Sequence, residues 1–549
     1  MTLPVNLGET QSAAVLDDAH VGDILGAFGR ISLNDTGSRK TWGHRFRTLL
    51  AILGPGLIVM VGDNDAGAFG TYSQAGQNYG TALLWTLLLL VPVLYVNQEM
   101  VLRLGAVTGV GHARLIVERF GKFWGAFSVI DLFLLNGLTI VTEFIGIALA
   151  LDYLGLPKGL GIAVAAVLIM AAASTGSLRR FERFSMVLIV GSLLLIPVVI
   201  MAHPPIGDVA RDFLTPQIPQ GSKLSEVMLL VIAIVGTTVA PWQLFFQQSY
   251  VIDKRITPQF IAYEKADLWI GIALVIVGGI AMMAFAAATF AGRPEFGNFT
   301  DAGAVASGLG AYVGHSAGVM FAIALIDASI LGASAVSLST AYAIGDVLSL
   351  RHSLHRKATD AKGFYAVYCG LIVIAAAIVL TPGAPLGLLT NAVQTLAGVL
   401  LPSATVFLLL LCNDKSVLGP WVNGRWLNLF TGGVIAILVL LSIILTASVL
   451  FPDTTNAGVM LGILGGGMVL AVIVAIAFFA FGAERDAAKP VVQELIPDKS
   501  SWRMPPLHKL APAQMSASTK LWMVILRGYL LLAGGLMLVR IVMLALGHG

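Results

Sequence analysis

Runs of 18 to 28 apolar residues recur along nearly the whole chain, separated by short polar stretches. A helix rises about 1.5 Å per residue, so each run is long enough to cross roughly 30 Å of hydrocarbon. Thirteen spans are predicted, near 47–73, 80–102, 123–150, 159–175, 184–203, 226–251, 267–291, 315–348, 364–382, 386–412, 427–451, 457–482 and 521–546. Residues 1–46 are polar and read as a mobile cytoplasmic tail. Residues 483–520, with AKP, IPDKSS and MPP, read as a polar cytoplasmic loop before a final helix in 521–549. The first apolar run is too long for the core of a cleavable signal peptide.

Two spans are interrupted at matching places. The first carries GPGLIVMVGDNDAGAFG and the sixth AIVGTTVAPWQLFFQQ. Polar residues with Gly or Pro in mid-span leave backbone groups unpaired, which lipid does not tolerate unless they line a cavity or bind something. One break in each half of a five-plus-five arrangement predicts an inverted-repeat transporter with its substrate near the midplane, and the alternative is a pair of kinked structural helices. On this division 47–412 is a ten-helix transport core and 413–482 holds two further transmembrane helices.

Composition agrees with immersion in lipid. The 549 residues are 57% hydrophobic and 11% charged, with a mean hydropathy of +0.87. The net charge of +3 matters less than its sidedness. With the N-terminus inside, 27 of the 33 Lys and Arg fall on inner segments, and only Lys158, Arg211, Lys223 and Arg293 on outer ones. Arg527 and Arg540 remain in the last span, and the C-terminus is predicted outside. Cys369 and Cys412 lie in different spans, which argues against a disulfide framework. No nucleotide loop, HExxH or Ser-His-Asp spacing points to an enzyme, and nothing points to nucleic acid, a cofactor or an obligate protein partner. The partners expected are the bilayer and a transported ion.

Several motifs in order resemble the Nramp family of divalent metal transporters, which have the leucine-transporter-type fold. GPGLIVMVGDNDAG looks like the family's GPG-to-DPGN stretch. QAG at 74–76, RLGAVTG after the second span, RRFERF at 179–184, GTTVAPWQ in the sixth span and QTLAGVLLP in the tenth follow. The resemblance covers roughly 45–450 and implies an all-α inverted repeat with additional C-terminal helices. Two departures matter. Asp65-Ala66-Gly67-Ala68 stands where the family has DPGN, so the acid is kept and the Asn is lost. Ala240-Pro241-Trp242 stands where it has MPH, so the thioether and the imidazole are both gone. This combination resembles the Nramp-related magnesium transporters.

The expected site follows. Thioether sulfur favours transition metals, whereas Mg2+ takes oxygen ligands and keeps part of its water. Asp65 is the direct carboxylate. The Thr237 carbonyl resembles the family's sixth-span carbonyl ligand. Gln394 matches the family's tenth-span Gln and either adds an amide oxygen or holds a bound water, and Ala68 and Ala240 are positions where small side chains enlarge the pocket. Asp63 is either a second anion for the ion or a group that concentrates cations in the outer vestibule. Thr238 is either a ligand or a hydroxyl bonded to its own helix. Trp242 either shapes the cavity or simply packs. Glu143 aligns with an acid of the family's proton route, but Ile140 stands where that acid's partner would be, so structural and functional readings stay level. Asp131 and Asp327 either bond a neighbouring helix or line the aqueous path, with binding of the ion as the alternative. The function expected is alternating-access transport of divalent ions, Mg2+ favoured and Mn2+ possible, without obligatory proton coupling. A proton-coupled Mn2+ or Fe2+ importer, an organic-solute symporter and a passive channel are the alternatives.

Overall fold

The computed structural model describes residues 18–545 except 36, 220, 382–385, 452–453, 488–498, 500–501, 511 and 514–516. Helices occupy all thirteen expected segments, and several are divided. Helix α1 (Trp42–Ile52) starts on Thr41, whose side chain accepts the His44 N–H. It is followed by α2 (Pro55–Val61), α3 (Ala66–Tyr79), α4 (Trp85–Thr108), α5 (His112–Phe120), α6 (Lys122–Tyr153), α7 (Lys158–Ala173), α8 (Leu178–Gly191), α9 (Leu195–Ala202) and α10 (Ile206–Leu214). The second half comprises α11 (Leu224–Thr238), α12 (Pro241–Asp253), α13 (Ile261–Phe290), α14 (Ala302–Tyr312), α15 (His315–Leu348), α16 (Lys362–Val379) and α17 (Leu386–Cys412). Beyond the repeat lie α18 (Arg425–Leu450), α19 (Ala457–Ala487) and α20 (Ala517–Ala545). Among the described residues nine helical segments are long and apolar enough to cross a membrane, or ten if the bent pair α1 and α2 is one span. The chain is an all-α integral membrane protein.

Several boundaries differ from expectation for local reasons. The first span carries two interruptions, because Pro55 starts a new helix after Gly54 (φ 157°) and the polar stretch 62–65 ends it. Helix α7 has 16 residues, at the short limit for a span. The short helices α5, α10 and α14 escape a search for long apolar runs. The two halves touch through α3 on α11 and α17, and through α4 on α12.

The expectation of a mobile N-terminal tail needs correction for residues 18–46. Strand β1 (Ile24–Leu25) pairs antiparallel with β2 (Arg30–Ile31). Arg255 donates to the Ala19 and Asp23 carbonyls, and Ala27 N–H donates to Glu182 Oε2 at 2.8 Å. Residues 1–17 lie outside the described region. The predicted loop 483–520 starts later than expected, since α19 continues to Ala487. Much of the loop lies outside the described residues, but Ala513 N–H reaches the Arg119 carbonyl at 2.8 Å. Arg527, stranded in an apolar span by the sequence, lies 4.0 Å from the Trp124 ring centroid and 4.1 Å from that of Phe127. Its guanidinium also donates to the Trp124 carbonyl. An aromatic cage of this kind offsets the cost of a buried cation.

Candidate functional site

The two breaks face each other. In the first, α2 ends at Gly62 and α3 begins after Asp65, whose Oδ1 accepts the Ala68 N–H at 2.9 Å. Asp65 is therefore the N-cap of α3. Glu143 on α6 accepts the Ala66 N–H at 3.1 Å through Oε2, and its carboxyl lies beside Asp65. The positive end of α3 already holds two carboxyl groups, so an organic anion finds no free docking point there.

In the second break, α11 ends at Thr238 and α12 starts at Pro241. Helical continuation would pair the Thr237 carbonyl with the N–H four residues on, and that residue is proline. The freed carbonyl is thus written into the sequence. Thr238 behaves otherwise. Its hydroxyl bonds back to the Ile234 carbonyl at 2.6 Å and touches the Tyr72 hydroxyl at 2.7 Å.

Gln394 on α17 lies between the breaks. A Cβ on Gly67 would overlap its side-chain amide, and one on Gly236 would overlap its backbone carbonyl. Asp63, Asp65, Thr237, Ala240, Gln394, Glu143 and Trp242 are each at most 5% exposed, so the site is closed to both sides in this conformation. Asp63 lies beside Gln243 rather than in an open vestibule. Trp242 reaches within 3.7 Å of a Cβ built on Gly62, and its carbonyl accepts the Ser339 hydroxyl.

Some participants were not among the expected residues. Gln243 donates to the Thr238 carbonyl at 3.3 Å and accepts from Gln98 at 2.9 Å, tying Asp63 to the second break. Gly332 on α15 closes the acid pair from behind, since a Cβ there would stand 2.9 Å from both Asp65 Cβ and Glu143 Cδ. Gln243 sits inside the APWQ string, but its role needs the pairing of α4 with α12, which local sequence does not carry.

Asp131 and Asp327 stand apart. Asp131 lines a small crevice with Ser128, Pro241 and Ser403, on the side of Arg527. Asp327 rests against Gly191, where α8 gives way to a tight 3-10 turn at Ser192–Leu194. No group of three or more His, Cys, Asp or Glu among the described residues is set to hold an ion by itself. Any ion between the breaks would rely on carboxyl, amide and carbonyl oxygens together.

Comparison with known proteins agrees with this geometry. The chain is 27% identical over 445 residues to the divalent metal cation transporter MntH of Staphylococcus saprophyticus, covering 75% of this chain and 95% of that one. It is 29% identical over 428 residues to the MntH of Deinococcus radiodurans, covering 73% and 91%. Among solved structures, a manganese transporter of Eremococcus coleocola in complex with an aromatic bis-isothiourea substituted compound superposes with a TM-score of 0.59. Its identity is 21%, and the match covers 82% of this chain and all of that one. The fold is thus the leucine-transporter-type inverted repeat with helices α18, α19 and α20 added. The family described as Natural resistance-associated macrophage protein-like matches residues 56–448, and the chain belongs to this Nramp family.

Proposed function

We propose that this protein moves divalent metal ions across the membrane by alternating access, with Mg2+ favoured and Mn2+ accepted, and without obligatory proton coupling. The observation that carries the reading is that Gln394 packs against Gly67, just after Asp65 at the first break, and against Gly236, just before Thr237 at the second, with Asp65, Thr237 and Gln394 all buried. In this reading Asp65, Gln394 and the Thr237 carbonyl supply oxygen donors, and Ala68 and Ala240 add none. Hard oxygen donors with no thioether beside them suit Mg2+ better than a soft transition metal. In this reading Asp63 adds negative charge through Gln243, Thr238 supports the backbone, and Trp242 stands in the place of a titratable imidazole. Two charges falling through a negative-inside potential gain roughly 4.6 kcal/mol per 100 mV, so uptake needs no second ion. The excess of Lys and Arg on inner segments supports a cell-membrane protein with a cytoplasmic N-terminus and an external C-terminus.

A second reading is a proton-coupled Mn2+ importer. It is favoured by the likeness to a manganese transporter and by the closeness of the Glu143 and Asp65 carboxyl groups around Gly332, where an arriving ion would compete with a proton. Purified protein in liposomes loaded with a Mg2+ indicator separates the two. Saturable Mg2+ entry that Mn2+ only partly suppresses supports the first. Mn2+ entry with no Mg2+ entry overturns it.

A further inference from the structure

At the far end of α2 from the Asp65 break lies a second polar cluster. Helix α2 has 7 residues, so the two regions are about 10 Å apart. Glu264 and Asp267 on α13, Gln247 and Tyr250 on α12, and Glu182 on α8 are all 0% exposed, and Lys254 is 1% exposed. Lys254 Nζ is committed, at 2.6 Å to Glu182 Oε1 and 2.9 Å to the Leu53 carbonyl. Asp267 Oδ2 accepts the Gly56 N–H at 2.7 Å and so caps α2. Three carboxylates face one ammonium.

The remaining atoms are unsatisfied. Both Glu264 oxygens, Asp267 Oδ1, both Gln247 amide atoms and the Tyr250 hydroxyl are buried with no hydrogen bond of proper geometry. A buried polar atom without a partner costs free energy, and an ionised one costs more, so six such atoms in one place call for an occupant. Five of the six are oxygens, of two carboxylates, an amide and a phenol, and the sixth is the Gln247 amide nitrogen. That is a donor set for a hard cation.

We infer that Glu264, Asp267, Gln247 and Tyr250 form a second station for the divalent ion, used after it leaves Asp65. The inference rests on the divalent-transport reading above. Asp267 links the station to α2, because one of its oxygens holds that helix while the other is free for the ion. Lys254 stays with Glu182 and leaves the charge of Glu264 and Asp267 for the passenger.

The test counts ions with Mn2+ as the probe, by equilibrium dialysis and electron paramagnetic resonance on the purified full chain. Wild type binds two Mn2+ at saturation. Glu264→Gln and Asp65→Ala each bind one, and the double variant binds none. As a milder variant, Tyr250→Phe keeps both ions but weakens one by roughly tenfold or more. One Mn2+ in wild type, or two undiminished in Glu264→Gln, overturns the second station. Loss of an ion in Asp65→Ala alone would leave the primary site standing while this inference falls. Two ions unaffected by Asp65→Ala would instead remove the reading on which it rests.

Discussion

Gly332→Ala is the smallest change expected to disturb the ion site without replacing any of its ligands. The added methyl would sit 2.9 Å from Asp65 Cβ and Glu143 Cδ. Carbon atoms prefer about 3.5–4.0 Å, so the acid pair must retreat by roughly 0.6–1 Å. Both acids are anchored to the first turn of α3 through Ala66 and Ala68, which limits how they give way. Overpacking of this kind costs about 1–3 kcal/mol. If that cost falls on ion binding, affinity drops by roughly 5- to 150-fold, since about 1.4 kcal/mol is a factor of ten. The assay is the concentration dependence of Mg2+ uptake into proteoliposomes, with Gly137→Ala as control, because a Cβ at Gly137 meets nothing within 4 Å. The KM of Gly332→Ala should rise while that of Gly137→Ala stays put. A Gly332→Ala protein with an unchanged KM, whether or not its Tm falls, would refute the claim that α15 presses the acid pair into place.

Further outcomes are expected elsewhere. Gln394→Ala should weaken Mg2+ uptake less than Asp65→Ala, which should abolish it, because an amide oxygen is a weaker and replaceable ligand; the reverse order in an uptake assay would move the centre of the site. Ala240→Met should shift preference from Mg2+ toward Mn2+ or Cd2+ by adding a soft sulfur, and an unmoved Mg2+ to Cd2+ selectivity ratio would show that position 240 does not face the ion. His352 lies 3.0 Å from Asp346. Burial works against its charge, but the Asp346 carboxylate and the Leu350 carbonyl outweigh it and hold the imidazole above its ordinary 6.5. A raised folded value means that this stabilisation is complete below about pH 6.5 and fades as pH rises through the folded value. The decline of Tm across that window should flatten in His352→Gln, and an identical pH profile would contradict the assignment.

Much of this architecture was legible because lipid makes strict demands on sequence. The positions of α4, α6, α13 and α15 follow from apolar length alone, and the breaks announce themselves as Gly62 to Asp65 and as Pro241. Proline even names the carbonyl it frees, that of Thr237. The rest depends on contacts between segments far apart in the chain. Nothing near Glu143 says that it caps α3, since its partner N–H is 77 residues away. Nothing in 18–31 says that it docks, because the anchors are Glu182 and Arg255. Gly332 looks like any small residue of a membrane helix until Asp65 is placed against it. Short amphipathic pieces such as α5 and α10 were lost for a different reason, being shorter than the window that a bilayer imposes.

The account turns on a divalent ion passing Asp65 without a proton. In liposomes with the membrane potential clamped, a Mg2+ indicator and a pH dye can be read together for wild type and Asp65→Ala. Saturable Mg2+ entry without acidification in wild type, lost in the variant, is the predicted result. Equal Mg2+ entry in the variant, or proton entry in step with Mg2+, would contradict it.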